Sequence, residues 1–357
     1  MAVRDKKIDI IRGVGIVLMI YGHCSNANSL IALFHMSLFF IISGYCFKED
    51  NYASSKQVIL YIKKKIKTLW IPYFMYTSVF LVFNNFFIKC GIYTSNKEIL
   101  TLSNSSIDKV HYSLELKEFI RAFLGQFVFQ TETQLGGALW FLQCLFFSSC
   151  LFEVSLFVVA RVFSKSRKRD LGLILISLVL LLLGYYCNLN SIWAKGLNRA
   201  FSCFWMITFG YFLKRYHIMN NYKRWLSIIC FLLLIGLNDF GKISLQSNQY
   251  PNLLFLVVCS VLGWFMIYGF SEYLCKSPKI FLEMLQYIGV HAIPVLALHF
   301  LSFKLVTLII MYVKNYPKVY LASFPVIYDY VWCVPYMIVG ITIPLLVEKI
   351  LMRKRLS

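Results

Sequence analysis

IDIIRGVGIVLMIYGHC (Ile8–Cys24) and LIALFHMSLFFIISGYCF (Leu30–Phe47) read as two apolar helices. A tight polar turn at Ser25, Asn26, Asn28 and Ser29 joins them. Asp9, Arg12, His23 and His35 sit inside these apolar runs or at their edges. An ionisable group in lipid costs several kcal/mol, roughly 2.5–3.5 on insertion scales, so each marks a candidate functional site. The rest of the chain then reads as the shell that houses them.

Composition supports that reading. Of 357 residues, 59% are hydrophobic and 15% charged, whereas soluble domains carry about 25% charged residues. A net charge of +20 points first to nucleic acid, but the basic residues lie between apolar runs rather than on a polar domain. Positive loops facing the cytoplasm explain that distribution, and no nucleic-acid partner is expected. The eleven cysteines fall mostly singly within apolar runs, with no CxxC or metal-ligand spacing. They read as small buried hydrophobes, and no metal site is expected.

Ten stretches are candidates to span a bilayer: about 8–24, 30–47, 69–90, 137–160, 171–187, 200–213, 226–240, 251–274, 286–312 and 326–350. A span needs about 20 apolar residues, so the sixth and seventh are short. The ninth is long enough to be tilted or broken at Pro294, and Pro335 and Pro344 predict kinks in the last. With the N-terminus inside, every inner segment is positive, and inner basic residues outnumber outer ones roughly two to one. The expectation is an all-α polytopic membrane protein of about ten helices, with both termini cytoplasmic, forming a single domain over 1–357. Its longest loop, about 91–136, falls outside. Within it, Leu114–Phe129 reads as an amphipathic helix on the outer surface or capping the bundle.

The chemistry-bearing residues form a few groups. Arg12 and His23 are eleven residues apart on one helix, so they face the same way to within about 20° and lie about 16 Å apart along the axis. Asp9, one turn before Arg12, can pair with it. Gly13, Gly15 and Gly22 allow a neighbouring helix to approach closely. This geometry fits an anion held at the inner mouth and proton chemistry deeper in; equally, Arg12 can snorkel to headgroups and His23 can be interfacial. His35 lies at a depth close to His23, and the two imidazoles can hold a hydroxyl and take its proton. A hydrogen-bonded structural role for His35 stands beside that. Ser43-Gly44 follows on the same stretch. Lys63, Lys64, Lys65 and Lys67 precede IPY (Ile71–Tyr73) and can hold nucleotide phosphates or serve as a headgroup anchor. Trp140 opens the fourth stretch. His291 and His299, eight residues apart in the ninth, lie nearly on one face. No Walker loop, GxSxG elbow or HExxH is present, which removes support for nucleotide hydrolysis and the common soluble hydrolase mechanisms.

Together these residues resemble the membrane acyltransferase-3 family of bacterial integral-membrane O-acyltransferases. The resemblance rests on the Arg-x10-His spacing at Arg12 and His23, FHMSLFFIISGYCF (Phe34–Phe47), the basic run into Ile71–Tyr73, LWFLQCLF (Leu139–Phe146) and YIGVHAIPVLALH (Tyr287–His299). The FHM form is most similar to the branch that acetylates sugars such as fucose. The resemblance implies acetyl-CoA, or another acyl-CoA, as donor from the cytoplasm. It also implies a hydroxyl on a cell-surface or lipid-linked glycan as acceptor, in a bacterial cytoplasmic membrane. It places His23 as the essential histidine with Arg12 as its basic partner. Lys64 and Lys67 keep the family's three-residue interval of basic residues, while Thr68 stands where arginine is common.

The resulting expectation is a membrane O-acyltransferase. His23, Arg12 and His35 are catalytic, and Arg12, Lys64 and Lys67 hold the donor's phosphates. Asp9, Ser43, Trp140 and His299 line the substrate path. The rival is a transporter or flippase of a glycan or small anion that uses the same buried charges as a pathway. Paired inverted repeats would support it, and no clear internal duplication is visible.

Overall fold

The computed structural model describes residues 5–25, 29–48, 54–96, 112–192 and 196–356, with side chains to 351. Asn26 and Asn28 of the expected turn, residues 97–111 of the outer loop, and the side chains of Arg353, Lys354 and Arg355 lie outside the described residues. The described helices are α1 (Lys6–Cys24), α2 (Ser29–Ala32), α3 (His35–Tyr45), α4 (Ser55–Lys65), α5 (Ile71–Val82), α6 (Asn84–Lys89) and α7 (Leu116–Gln126). They continue as α8 (Trp140–Val162), α9 (Ser166–Leu189), α10 (Leu197–Arg215), α11 (Leu226–Leu237) and α12 (Leu253–Leu274). The last are α13 (Lys279–Val290), α14 (Ala292–Lys314) and α15 (Tyr330–Leu356). No strand occurs among the described residues, only an isolated bridge between Ser244 and Gln249.

Helix occupies each of the ten stretches. Five of the described helical segments are long and apolar enough to cross a membrane: Gly137–Val162, Ser166–Leu189, Leu253–Leu274, Ala292–Lys314 and Tyr330–Leu351. Helix α1 is long enough but carries Lys6, Lys7, Asp9 and Arg12, and α10 carries Arg199, Lys214 and Arg215. The apolar segments Ser29–Tyr45 and Leu226–Phe240 are shorter.

Three local features depart from plain spans. The second stretch breaks at Leu33-Phe34, between α2 and α3. The ninth breaks at His291, between α13 and α14. Pro294 then falls in the first turn of α14, where a missing N–H leaves no helical bond unmade. The sequence placed that break at Pro294, and the chain breaks just before it. Because His291 and His299 do not share one continuous helix, their eight-residue spacing carries no common-face argument. Between α4 and α5 the chain widens into a π turn, Ile66–Trp70, with the Ile71 N–H bonded to the Ile66 carbonyl. Pro72 has no N–H to offer the carbonyl one turn back, which favours such a widening.

The chain divides into two compact units, residues 1–15, 29–72 and 140–286, and residues 16–28, 73–139 and 287–357. In the first, α3 and α10 pack backbone to backbone. A Cβ built at Gly44 would collide with the Ile207 carbonyl, and one at Gly210 with the Ile41 carbonyl. Such small-residue contacts hold helices together where lipid removes the hydrophobic drive. Gly13 likewise sits against the Leu285 carbonyl and Gly15 against the Phe39 ring, whereas no described atom lies within 4 Å of a Cβ at Gly22. Among the described residues the expected close approach occurs at Gly13 and Gly15.

In the second unit, α7 begins with a capping box of Glu115 and Glu118, which satisfies its first amides. Phe119, Phe123 and Phe127 form an aromatic row around Phe74. Leu116, Ile120 and Leu124 remain exposed. Lys117, Glu118 and Arg121 are exposed as well, so the helix expected over Leu114–Phe129 forms over Leu116–Gln126 with apolar as well as charged side chains on its exposed surface.

Candidate active site

In the first unit, Arg12 Nη1 lies 3.0 Å from Asp9 Oδ1, a pair one turn apart on α1. Asp9 is buried and Arg12 partly exposed, so the guanidinium neutralises a carboxylate that would otherwise be costly inside. On the same helix Lys7 bonds Glu272 at 2.6 Å and caps the ring face of Tyr268 at 3.5 Å.

The lysine run sorts itself by helix face. Helix α4 opens at Ser54, whose side chain accepts the Gln57 N–H, an N-cap that sets the register. Val58, Tyr61, Lys65 and Leu69 then recur at three- and four-residue steps along the inward face. Val58, Tyr61 and Leu69 are buried, Lys65 half-buried, and Lys64 and Lys67 exposed. Lys65 Nζ donates to Ser43 Oγ at 3.3 Å, and Ser43 Oγ lies 3.4 Å from Ser149 Oγ. The ammonium also lies 5.2 Å from the centre of the Tyr61 ring. Burial pushes the Lys65 ammonium down to about 8, although the carboxylate of nearby Glu153 works the other way.

Trp140 opens α8 beneath the guanidinium of Arg199, 5.4 Å from the ring centre. Arg199 is 2% exposed and bonds Gln143 Oε1 at 2.6 Å and the Gln246 carbonyl at 3.1 Å. His35 is the first residue of α3, and its Nδ1 lies 2.8 Å from the Ile31 carbonyl across the helix break. That carbonyl also accepts the Phe34 N–H, so His35 helps close the end of α2.

The second unit holds the later part of α1, and there His23 meets His299. Their rings stack with centroids 5.3 Å apart and an interplanar angle of 23°. Phe300 packs edge-on against His23 at 4.8 Å. His299 is wholly buried, and its Nδ1 lies 3.0 Å from both the Val295 and Leu296 carbonyls. Two carbonyl acceptors require Nδ1 to carry the proton, so in the neutral ring Nε2 is an acceptor. Among the described residues that Nε2 has no hydrogen-bonding partner, a condition rare enough in a buried side chain to call for a functional explanation. Lys304, five residues further on α14, is tied to the Leu321 and Ser323 carbonyls at 3.0 and 2.6 Å. His291 Nδ1 instead lies 2.7 Å from Glu348 Oε2.

A sequence profile described as an acyltransferase domain matches residues 5–348, nearly the whole chain. The chain belongs to the membrane acyltransferase-3 family. No curated protein and no solved structure matches it. Membership makes the chain a multi-pass membrane acyltransferase, the chemical frame for the clusters above.

Of the sequence-derived residues of this acyltransferase, the structure joins Asp9 with Arg12, and His23 with His299. Ser43 joins a polar cluster with Lys65 and Ser149. His35 is occupied with a backbone carbonyl, and Trp140 with Arg199. Two residues escaped the sequence reading as individuals. Lys65 continues the Val58/Tyr61 stripe into Leu69; the spacing is in the sequence, but which face of α4 packs inward is not. Glu153 is the lone carboxylate of α8, and a single acid in an apolar span is itself a signal.

Proposed function

We propose that this acyltransferase moves an acetyl group from acetyl-CoA, entering from the cytoplasm, to a hydroxyl of a cell-surface or lipid-linked glycan. The reading places the protein in a bacterial cytoplasmic membrane with about ten spans and both termini inside. Arg12, Lys64 and Lys67 hold the donor's phosphates at the inner face, and Lys65, turned inward, meets the donor deeper in. Helix α1 alone sets about 16 Å between Arg12 and His23 along its axis, a distance suited to an extended pantetheine arm.

His23 acts as general base. It takes the proton of the acceptor hydroxyl as that oxygen attacks the thioester carbonyl. The C–S bond then breaks, the acetyl group passes to the oxygen, and the CoA thiolate regains the proton from His23. The observation that carries this reading is the His23–His299 stack, in which a fully buried imidazole keeps an acceptor nitrogen without a partner beside the proposed base. A base that titrates near neutrality suits such proton transfer. His35, Ser43, Trp140 and Asp9 complete the substrate and donor path in supporting roles.

The test is CoA release, followed with a thiol reagent, from purified protein in lipid nanodiscs given labelled acetyl-CoA and candidate glycans. Wild type transfers label to glycan and releases CoA in equal amount, and His23→Ala loses at least ~100-fold in turnover, the range for a general base. Glycan movement without CoA release would favour the transporter. Normal acetylation by a folded His23→Ala protein would remove His23 from the mechanism.

A further inference from the structure

Glu153 is 0% exposed, and among the described residues neither of its carboxylate oxygens has a hydrogen-bonding partner. A carboxylate wholly removed from water and left without a donor is strongly disfavoured, so its retention calls for a partner that arrives with a ligand. Lys65, on α4, feels the field of this carboxylate yet donates to Ser43 at 3.3 Å rather than to Glu153. An ammonium offers three donors, and Ser43 and Ser149 add hydroxyls beside it. Tyr61 presents its phenol to the same cluster. Glu153 follows Ser149 by one turn on α8, so its carboxylate lies on the same side of that helix as the Lys65–Ser43–Ser149 cluster, and none of those donors bonds it.

A group with an acceptor and a donor side by side completes both halves. A secondary amide is such a group: its carbonyl takes an N–H from Lys65 and its N–H goes to Glu153. Glu153 lies nine residues before Val162, about 13 Å from that end of α8. In the proposed orientation that end is cytoplasmic, so the arm of the donor, rather than its nucleotide, is the part that reaches this depth. We infer that Glu153 recognises an amide N–H of the pantetheine arm of the acyl donor, with Lys65 receiving the amide carbonyl. This rests on the reading that acyl-CoA is the donor.

The experiment uses the full chain in nanodiscs and measures equilibrium binding of CoA and of adenosine 3′,5′-bisphosphate, the nucleotide portion without the arm. Glu153→Leu is expected to weaken CoA roughly tenfold to a hundredfold, the range for losing a buried charged hydrogen bond, and to leave the bisphosphate unchanged. Glu153→Gln keeps an acceptor oxygen and is expected to recover most of the CoA affinity. Unchanged CoA binding in Glu153→Leu overturns the inference, since only an ordered water or nothing would then meet the carboxylate. Equal loss of both ligands also overturns it, in favour of a structural role. If wild type binds the bisphosphate but Glu153→Leu and wild type share one CoA affinity, the donor reading survives alone. If wild type binds neither ligand, the donor reading fails and the inference with it.

Discussion

Replacing Lys65 by methionine tests the donor side of the site through its pH dependence. The Lys65 ammonium is pushed from the ordinary lysine value of 10.5 down to about 8 by burial. Around it stand Glu153 and Cys150 of α8, Cys46 beyond α3, and Lys64 and Tyr61 of its own helix. A lysine with a lowered value is charged below it and neutral above it, so attraction for an electron-rich donor group is present near pH 7 and lost as pH rises through 8. With a midpoint of about 8, the charged fraction falls from about 0.9 at pH 7 to about 0.1 at pH 9, so kcat/KM for acetyl-CoA should fall nearly tenfold over that range. Lys65→Met should lower kcat/KM at pH 7 by roughly tenfold to a hundredfold and abolish the slope. Lys65→Arg, charged throughout, should keep donor binding and flatten the profile. Steady-state thiol release between pH 6.5 and 9.5, at fixed acceptor, measures all three. A Lys65→Met protein with the wild-type kcat/KM and the wild-type slope would falsify the assignment of Lys65 to the donor.

His299→Phe keeps a ring to stack on His23 but removes Nε2 and the Nδ1 bonds to Val295 and Leu296. It is expected to lower kcat roughly tenfold to a hundredfold with little change in the KM for acetyl-CoA, and unaltered kcat would show that His299 only packs. Gly44→Ala pushes a methyl into the Ile207 carbonyl and should cost ~3 kcal/mol, the upper end for overpacking, because backbone rather than a side chain must move. Gly22→Ala, with no described atom within 4 Å of the new Cβ, should be neutral or stabilising by up to about 1 kcal/mol. Thermal aggregation of the detergent-solubilised variants compares the two, and equal behaviour would contradict the α3–α10 contact.

Much of the architecture was legible in the chain alone. Long apolar runs and the amphipathic pattern of Leu114–Phe129 are local properties, and helix followed at each of the ten stretches and over Leu116–Gln126. The break near Pro294 was visible to within a few residues because proline acts on its own turn. The Asp9–Arg12 pair was equally readable, since residues three apart on a helix must be neighbours. The Arg-x10-His spacing and the later motifs pointed to the acyltransferase family, which the profile over 5–348 shows.

What the chain by itself determined was therefore what each segment is: an apolar helix, its ends, and the charges it carries. Tertiary structure decided which of those charges meet. Among the clustered lysines it turned Lys65 inward and left Lys64 and Lys67 exposed, because the buried face of α4 is chosen by what packs on it. It also set His299 on the ring of His23 and brought Lys65 to Ser43 beside the buried Glu153. Helical periodicity fixes directions only within one helix. Contacts between residues hundreds of positions apart depend on how helices approach, and close backbone contacts such as Gly44 on Ile207 govern that approach. The two helices quoted at the outset thus carried the charged residues, while the packing around them assigned each charge a neighbour.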